Sequence, residues 1–210
     1  MIDGDVGIID FLKSKPFVHI VSEPRSGSSS LFYALQEGHE PEIDLNEPFH
    51  FKDKRKTDET LTYLTNHING CKVMKNHGST LLELSPNDQE RIWGLPAYVV
   101  GLTRRDWFSQ SCSLAIAEYT KSWDIAPYEK INIPISFYEK KIDQLIAMKR
   151  DSFKQAHHFH LNICYEDIKF PKSLSYRHLV SVNNISNIEE IKAIYDKFKT
   201  FYTKYLRLAD

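Results

Sequence analysis

The 210 residues carry 27 Lys plus Arg against 28 Asp plus Glu, a formal charge of −1. That length suits one domain, 1–210, with a sizeable core, and charges that nearly cancel exclude the global basic field of a nucleic-acid binder, so any anion site must be local. No apolar run approaches the length of a bilayer span, and the amino terminus has no basic stretch followed by a long apolar core, so a soluble, cytoplasmic protein is expected.

In chain order, Phe17 to Val21 is an apolar run that predicts a buried strand, followed by the turn Pro24-Arg25-Ser26-Gly27-Ser28-Ser29-Ser30 and a helix through Leu31 to Leu35. Ile43 to Leu45 is a second strand-like segment, and the charged stretch Lys52 to Glu59 reads as a solvated loop. Gly70 to Met74, Ala97 to Leu102 and His160 to Tyr165 predict further strands. Between the last two, Phe108, Cys112, Ala115, Ile116 and Tyr119 recur at helical spacing. So do Tyr138, Ile142, Leu145, Ile146 and Phe153, behind a start set by Pro134 and Ser136. Ser186 and Glu189 fit a capping box ahead of the terminal apolar stripe Ile188, Ile191, Tyr195, Phe198, Tyr202 and Tyr205. Strands alternating with helices imply an α/β fold with a mostly parallel central sheet flanked by helices. Cys71, Cys112 and Cys164 each sit in an apolar run far from the others, which suits reduced thiols and a reducing compartment.

The turn after the first strand carries the chemistry. A strand, a Gly- and Ser-rich loop and a helix start aim backbone N–H groups and the positive end of a helix dipole at one point, where a phosphate or sulfate can sit. Arg25 and the hydroxyls of Ser26, Ser28, Ser29 and Ser30 add donors. The loop is not a Walker A motif: the second Gly and the Lys after it are absent. An ordinary serine-rich turn is the plain alternative. A second anion-binding candidate is Thr103-Arg104-Arg105-Asp106, at the end of the Ala97 to Leu102 strand, with Ser113 eight positions beyond Arg105 on the following helix. Two anion sites at the carboxyl ends of strands would suit a ligand with phosphates at both ends; the alternative for the arginines is a surface ion pair with Asp106 or Glu118.

Pro24-Arg25-Ser26-Gly27-Ser28-Ser29-Ser30-Leu31 resembles the 5′-phosphosulfate loop of sulfotransferases that use 3′-phosphoadenosine-5′-phosphosulfate (PAPS), closest in motif to the carbohydrate-type enzymes. The Arg105 to Ser113 spacing resembles their 3′-phosphate motif. Arg104-Arg105-Asp106 through Trp123 resembles the bacterial trehalose 2-sulfotransferase group, and Tyr165-Glu166-Asp167 a further recurring segment. The likeness runs from about Phe17 to Ile168. It implies a P-loop-like three-layer fold in which Arg25, Ser26, Gly27, Ser28, Ser29 and Ser30 hold the 5′-phosphosulfate and Arg105 and Ser113, with Arg104 as a weaker candidate, hold the 3′-phosphate. The implied donor is PAPS, with no metal, and the implied partner is a small-molecule or glycan hydroxyl acceptor, favouring a sugar or glycolipid. The Gly-rich C-terminal cofactor segment of the cytosolic enzymes is missing, and Arg25 stands where they carry Lys.

Sulfuryl transfer needs a base for the acceptor hydroxyl and neutralisation of the departing phosphate. Glu47, after the Ile43 to Leu45 segment and fixed by Pro48, is the candidate base; Arg25 is the candidate neutraliser, and His50 is the rival base because its intrinsic pKa is closer to neutral. Lys72, Lys75, Asn76 and His77 can line the acceptor side or be ordinary polar residues after a strand. His157, His158 and His160 lack the companions of a metal site and read as helix-end histidines. The rival readings are a P-loop-type kinase and a nucleotide-binding protein without turnover. Oligomeric state is left open by the sequence, a homodimer included.

Overall fold

Every residue of β1 (Val18–Ser22) is buried, the pattern of a central parallel strand covered on both faces. In the computed structural model, which describes residues 7–36, 44–50, 54–67, 72–123, 129–170 and 182–206, β1 lies between β2 (Val73–His77) and β3 (Tyr98–Thr103), and β4 (Leu161–Cys164) pairs with the far side of β3. The order is β2-β1-β3-β4 and every pairing is parallel. The fold is α/β, with helices supplying the crossovers that parallel neighbours require.

The described residues divide into two compact units. The first holds the sheet, α1 (Ile8–Lys13), α2 (Ser28–Gln36), α3 (Lys54–Asn66), α4 (Gly78–Leu82) and α5 (Pro86–Trp93). Its core is built from strand residues Val18, Ile20, Val100 and Ile163 together with Leu12, Leu31, Phe32, Leu61, Leu64, Leu81 and Ile92 from the five helices. The second unit holds α6 (Trp107–Thr120), the beginning of α7 (Ile135–Lys154) and α8 (Ile188–Leu206), around Cys112, Ala115, Ile116, Ile133, Tyr138, Ile185 and Ile191. Within it, the Asn187 side chain accepts from Ile133 N–H at 3.1 Å and donates to Ile133 C=O at 2.9 Å. The buried Tyr138 hydroxyl meets Ser111 Oγ at 2.7 Å, which satisfies a polar group that would otherwise be costly to bury.

Several expectations are corrected. Lys52 to Glu59 is not a solvated loop: α3 occupies Lys54–Asn66, because Thr57, Thr60, Leu61 and Leu64 recur on one face and are buried there. Ile43 to Leu45 forms no strand in its described part; the chain makes a single parallel bridge, Asn46 to Lys75, along the outer edge of β2. The predicted run Gly70 to Met74 lies too early, since β2 continues through Lys75, Asn76 and His77. α8 begins at Ile188, so Asn187, not Ser186, takes the position before the helix. Tyr119 and Phe153, assigned to apolar stripes, are exposed. Ile43, Lys52, Gly70 and Cys71 fall outside the described residues, as do the side chains of Tyr202 and Tyr205.

Candidate functional site

The strand register brings the candidate residues of the first unit to one edge. Ser22 pairs with His77 on one side and Leu102 on the other, and Thr103 pairs with Cys164. The segments that follow each strand therefore leave the sheet at its carboxyl end, where open parallel sheets bind ligands. These are the Glu23 to Gly27 loop, the α4 start, Arg104-Arg105 and the turn Tyr165–Asp167.

In the loop after β1, Ser26 is fully buried and, among the described residues, its Oγ has no hydrogen-bond partner. Such an atom is costly unless something accepts or donates there. α2 opens at Ser28, so the N–H groups of Ser28, Ser29 and Ser30 belong to the first turn, which has no intrahelical acceptors. Gly27 has φ +90°, and a Cβ on it would lie 2.0 Å from Tyr165 Cδ2; glycine is required both by the dihedral and by the aromatic ring against it. Arg104 braces this arrangement. Its Nη1 donates to Arg25 C=O at 3.4 Å, its guanidinium lies 5.5 Å from the centre of the Tyr165 ring, and its Nε is 3.8 Å from Glu166 Oε1.

A buried ion pair beneath the loop was not foreseen. Lys149 Nζ lies 3.6 Å from Glu23 Oε2 and donates to Thr103 Oγ1 at 3.2 Å and Arg104 C=O at 3.5 Å. Burial lowers the lysine pKa, and Glu23 only partly offsets it. The signal was present in the pattern, since Lys149 sits four residues after Leu145 and seven after Ile142, on the apolar side of α7.

Arg105 is exposed and its guanidinium forms a surface ion pair with Asp167, while its N–H donates to Glu166 Oε2 at 3.0 Å. The Asp167 carboxylate, through its hydrogen bond and charge, raises the guanidinium pKa. Ser113 is buried on α6 in the second unit.

Glu47 gathers the other half of the candidate chemistry. Backbone bonds from Lys75 N–H to Leu45 C=O at 3.1 Å and from Glu47 N–H to Lys75 C=O at 2.9 Å lay its segment along β2. Lys75 Nζ then reaches Glu47 Oε1 at 2.6 Å, and His77 Nε2 lies 3.3 Å from the same oxygen. The exposed His50 places Nδ1 3.8 Å from Oε2. Burial pushes the Glu47 carboxyl up, but His77, Lys75 and His50 together outweigh it and hold the pKa below its ordinary value. Burial also pushes His77 down to about 4, more than Glu47 raises it. Above that pH His77 is neutral, so Lys75 is the cation that keeps Glu47 ionised at neutrality.

Of the four residues read as lining the acceptor side or as ordinary polar residues after a strand, Lys75 and His77 share the Glu47 cluster. Lys72 instead donates to the C=O groups of Lys13 and Lys15 at the end of α1, at 2.8 and 3.3 Å. Asn76 points to the opposite face of β2 and meets His19 Nε2 at 3.2 Å. His157 and His158 lie in a short turn after α7, with His158 stacked on Trp93 at 4.3 Å; His160 Nδ1 accepts from Val99 N–H at 2.9 Å.

Among the described residues, three non-glycines have positive φ: Arg25 at 62°, Glu47 at 64° and Lys121 at 57°. Lys121 ends α6 in a left-handed cap. The other two are the residues that the sequence singles out as neutraliser and base, and strain of this kind concentrates at functional sites. No family model matches the chain, and no curated protein matches it significantly.

Proposed function

We propose that the chain is a sulfotransferase that moves a sulfuryl group from PAPS to an acceptor hydroxyl on a carbohydrate or glycolipid. The observation that carries this reading is the register: the Gly- and Ser-rich loop after β1 and the Glu47 carboxylate beside β2 lie towards the carboxyl end of adjacent parallel strands. The Ser26 Oγ, unpartnered among the described residues, the first-turn N–H groups of α2 and the Arg25 guanidinium suit the 5′-phosphosulfate end of the donor. Arg105 suits the 3′-phosphate once it exchanges Asp167 for the anion.

In the reaction, the acceptor oxygen attacks sulfur as its proton passes to the Glu47 carboxylate. The bond from sulfur to the bridging phosphate oxygen breaks, and 3′,5′-adenosine bisphosphate leaves with the electron pair. Arg25 and the loop N–H groups stabilise the negative charge that grows on that oxygen. Lys75 keeps Glu47 ionised and fixes its orientation.

Calorimetry with 3′,5′-adenosine bisphosphate and with ATP plus magnesium tests the donor class, and transfer of labelled sulfate from PAPS to pooled glycans, lipids and phenols tests the chemistry. Binding of the bisphosphate in preference to ATP, with a labelled glycan product, supports the proposal. Preference for ATP and magnesium transfers it to a kinase. Binding without any labelled product leaves a nucleotide-binding protein.

A further inference from the structure

The ladder between β1 and β3 ends at the pair Ser22 and Leu102, and the arginines assigned to the two ends of the donor, Arg25 and Arg105, each follow three residues later. Past that pair the ladder no longer fixes the spacing of the two chains. Lys149 stands across them. Its ammonium carries three N–H donors, and three oxygens face it: Glu23 Oε2 at 3.6 Å from the first chain, then Thr103 Oγ1 at 3.2 Å and Arg104 C=O at 3.5 Å from the second. The Arg104 side chain reaches back to Arg25 C=O at 3.4 Å, so both segments are tied at one buried nitrogen.

A lysine is a costly way to fill that place. Lys149 is only 6 % exposed and continues the Ile142 and Leu145 side of α7, where leucine or methionine would pack without an ion to desolvate. Glu23, 5 % exposed, is desolvated with it, and a buried pair of this kind seldom adds stability over apolar residues of the same volume. What it adds is geometry: a buried nitrogen that needs oxygens around it fixes the chains that supply them.

We infer that Lys149 is a positioning residue that holds the Arg25 loop and the Arg104-Arg105 segment at the separation a two-ended nucleotide anion spans. The inference rests on the proposed donor site for its ligand. Lys149 acts through the two chains it joins and not by contact with either phosphate, so its loss should weaken ligands that use both ends and spare those that use one.

Calorimetry on the full chain tests this with 3′,5′-adenosine bisphosphate and adenosine 5′-phosphate, for the wild type, Glu23→Gln, Lys149→Met and the double variant Glu23→Gln/Lys149→Met. Removal of the lysine alone leaves the Glu23 carboxylate buried opposite an apolar chain and should lower the urea midpoint; the double variant removes both charges and should recover it. The ratio of the two affinities is the readout, because a purely structural role lowers the folded fraction and weakens both ligands alike. The preference for the bisphosphate should fall at least about fivefold in Lys149→Met and in the double variant, the low end of coupling between two sites, with adenosine 5′-phosphate held within about twofold. Glu23→Gln, whose amide oxygen still accepts from the ammonium, should keep the preference. A preference that survives in the double variant, or a double variant that does not fold, would overturn the inference and leave the donor reading standing. No preference for the bisphosphate in the wild type removes the two-ended site and the inference together. Labelled transfer from PAPS separates the layers: a preference lost with Lys149, in a protein that sulfates no acceptor, keeps the positioning role and removes the proposed reaction.

Discussion

A carboxylate held 2.6 Å from a nearly buried ammonium stays ionised at neutral pH but binds a proton less firmly than a free one. For Glu47 this sets the pH range of any activity it supports. The acidic limb of kcat/KM should lie below the ordinary glutamate range, because His77, Lys75 and His50 outweigh the effect of burial. Lys75→Met leaves burial opposed by fewer charges, so the limb should move to higher pH, and a profile unchanged from wild type would detach Glu47 from turnover. Glu47→Gln keeps the shape without the proton affinity and should lower kcat by about 10² to 10⁴, the usual contribution of a general base. His50→Ala should cost less, since its ring faces Oε2 only at 3.8 Å from an exposed position; a greater loss there than in Glu47→Gln would move the base role to the imidazole.

At the scale of single elements, α3 shows how charge can mask an amphipathic helix. Its exposed side carries Arg55 and Glu59, paired at 2.9 Å, and its buried side carries Leu61 and Leu64. Leu64→Ala should destabilise the first unit by about 2 to 5 kcal/mol through lost burial and the cavity left behind. Arg55→Ala should change stability by less than about 0.5 kcal/mol, as for most exposed ion pairs. Urea midpoints of the two variants measure the contrast, and equal effects would mean that the helix is not held by its apolar face. The same comparison explains what the sequence made legible. The turn from Pro24 to Gly27 could be read because Gly27 and its neighbours determine their own backbone within a few residues, although the helix starts at Ser28, ahead of Leu31. The meeting of Glu47 with Lys75 and His77 joins segments 28 residues apart, through a bridge that strand propensity does not mark. Lys149 continues the Ile142 and Leu145 stripe, but its pair with Glu23 went unread because a lysine in a helix is ordinarily solvated and its burial depends on what the fold packs over it.

For the whole molecule, two imidazoles make folding sensitive to mild acid. His19 is buried against Trp93 and Asn76 and pushed down to about 3 by burial; His77 is pushed down to about 4. The unfolded chain takes up protons near 6.5 that the native protein excludes, so this contribution is complete above pH 6.5 and is lost as pH falls from 6.5 towards 4. The loss should approach about 1.4 kcal/mol per pH unit for each histidine. Denaturant midpoints across that range should decline before carboxylates titrate, and His19→Gln should reduce the slope; a flat profile to pH 5 would contradict the burial of both rings. The left-handed backbone at Arg25 and Glu47 has a different consequence, one for laboratory evolution. Glycine relieves about 1 kcal/mol of backbone strain at such a position, but at Glu47 it also strips the nearly buried Lys75 ammonium of its partner, so a library selected only for protease resistance should enrich Arg25→Gly alongside Lys121→Gly and should retain Glu47. The Arg25→Gly survivor should be a sturdier protein without the proposed transfer, whereas Lys121→Gly should gain stability and leave that transfer unchanged. Selection for endurance alone would therefore erase at Arg25 a position that selection for the proposed transfer would retain.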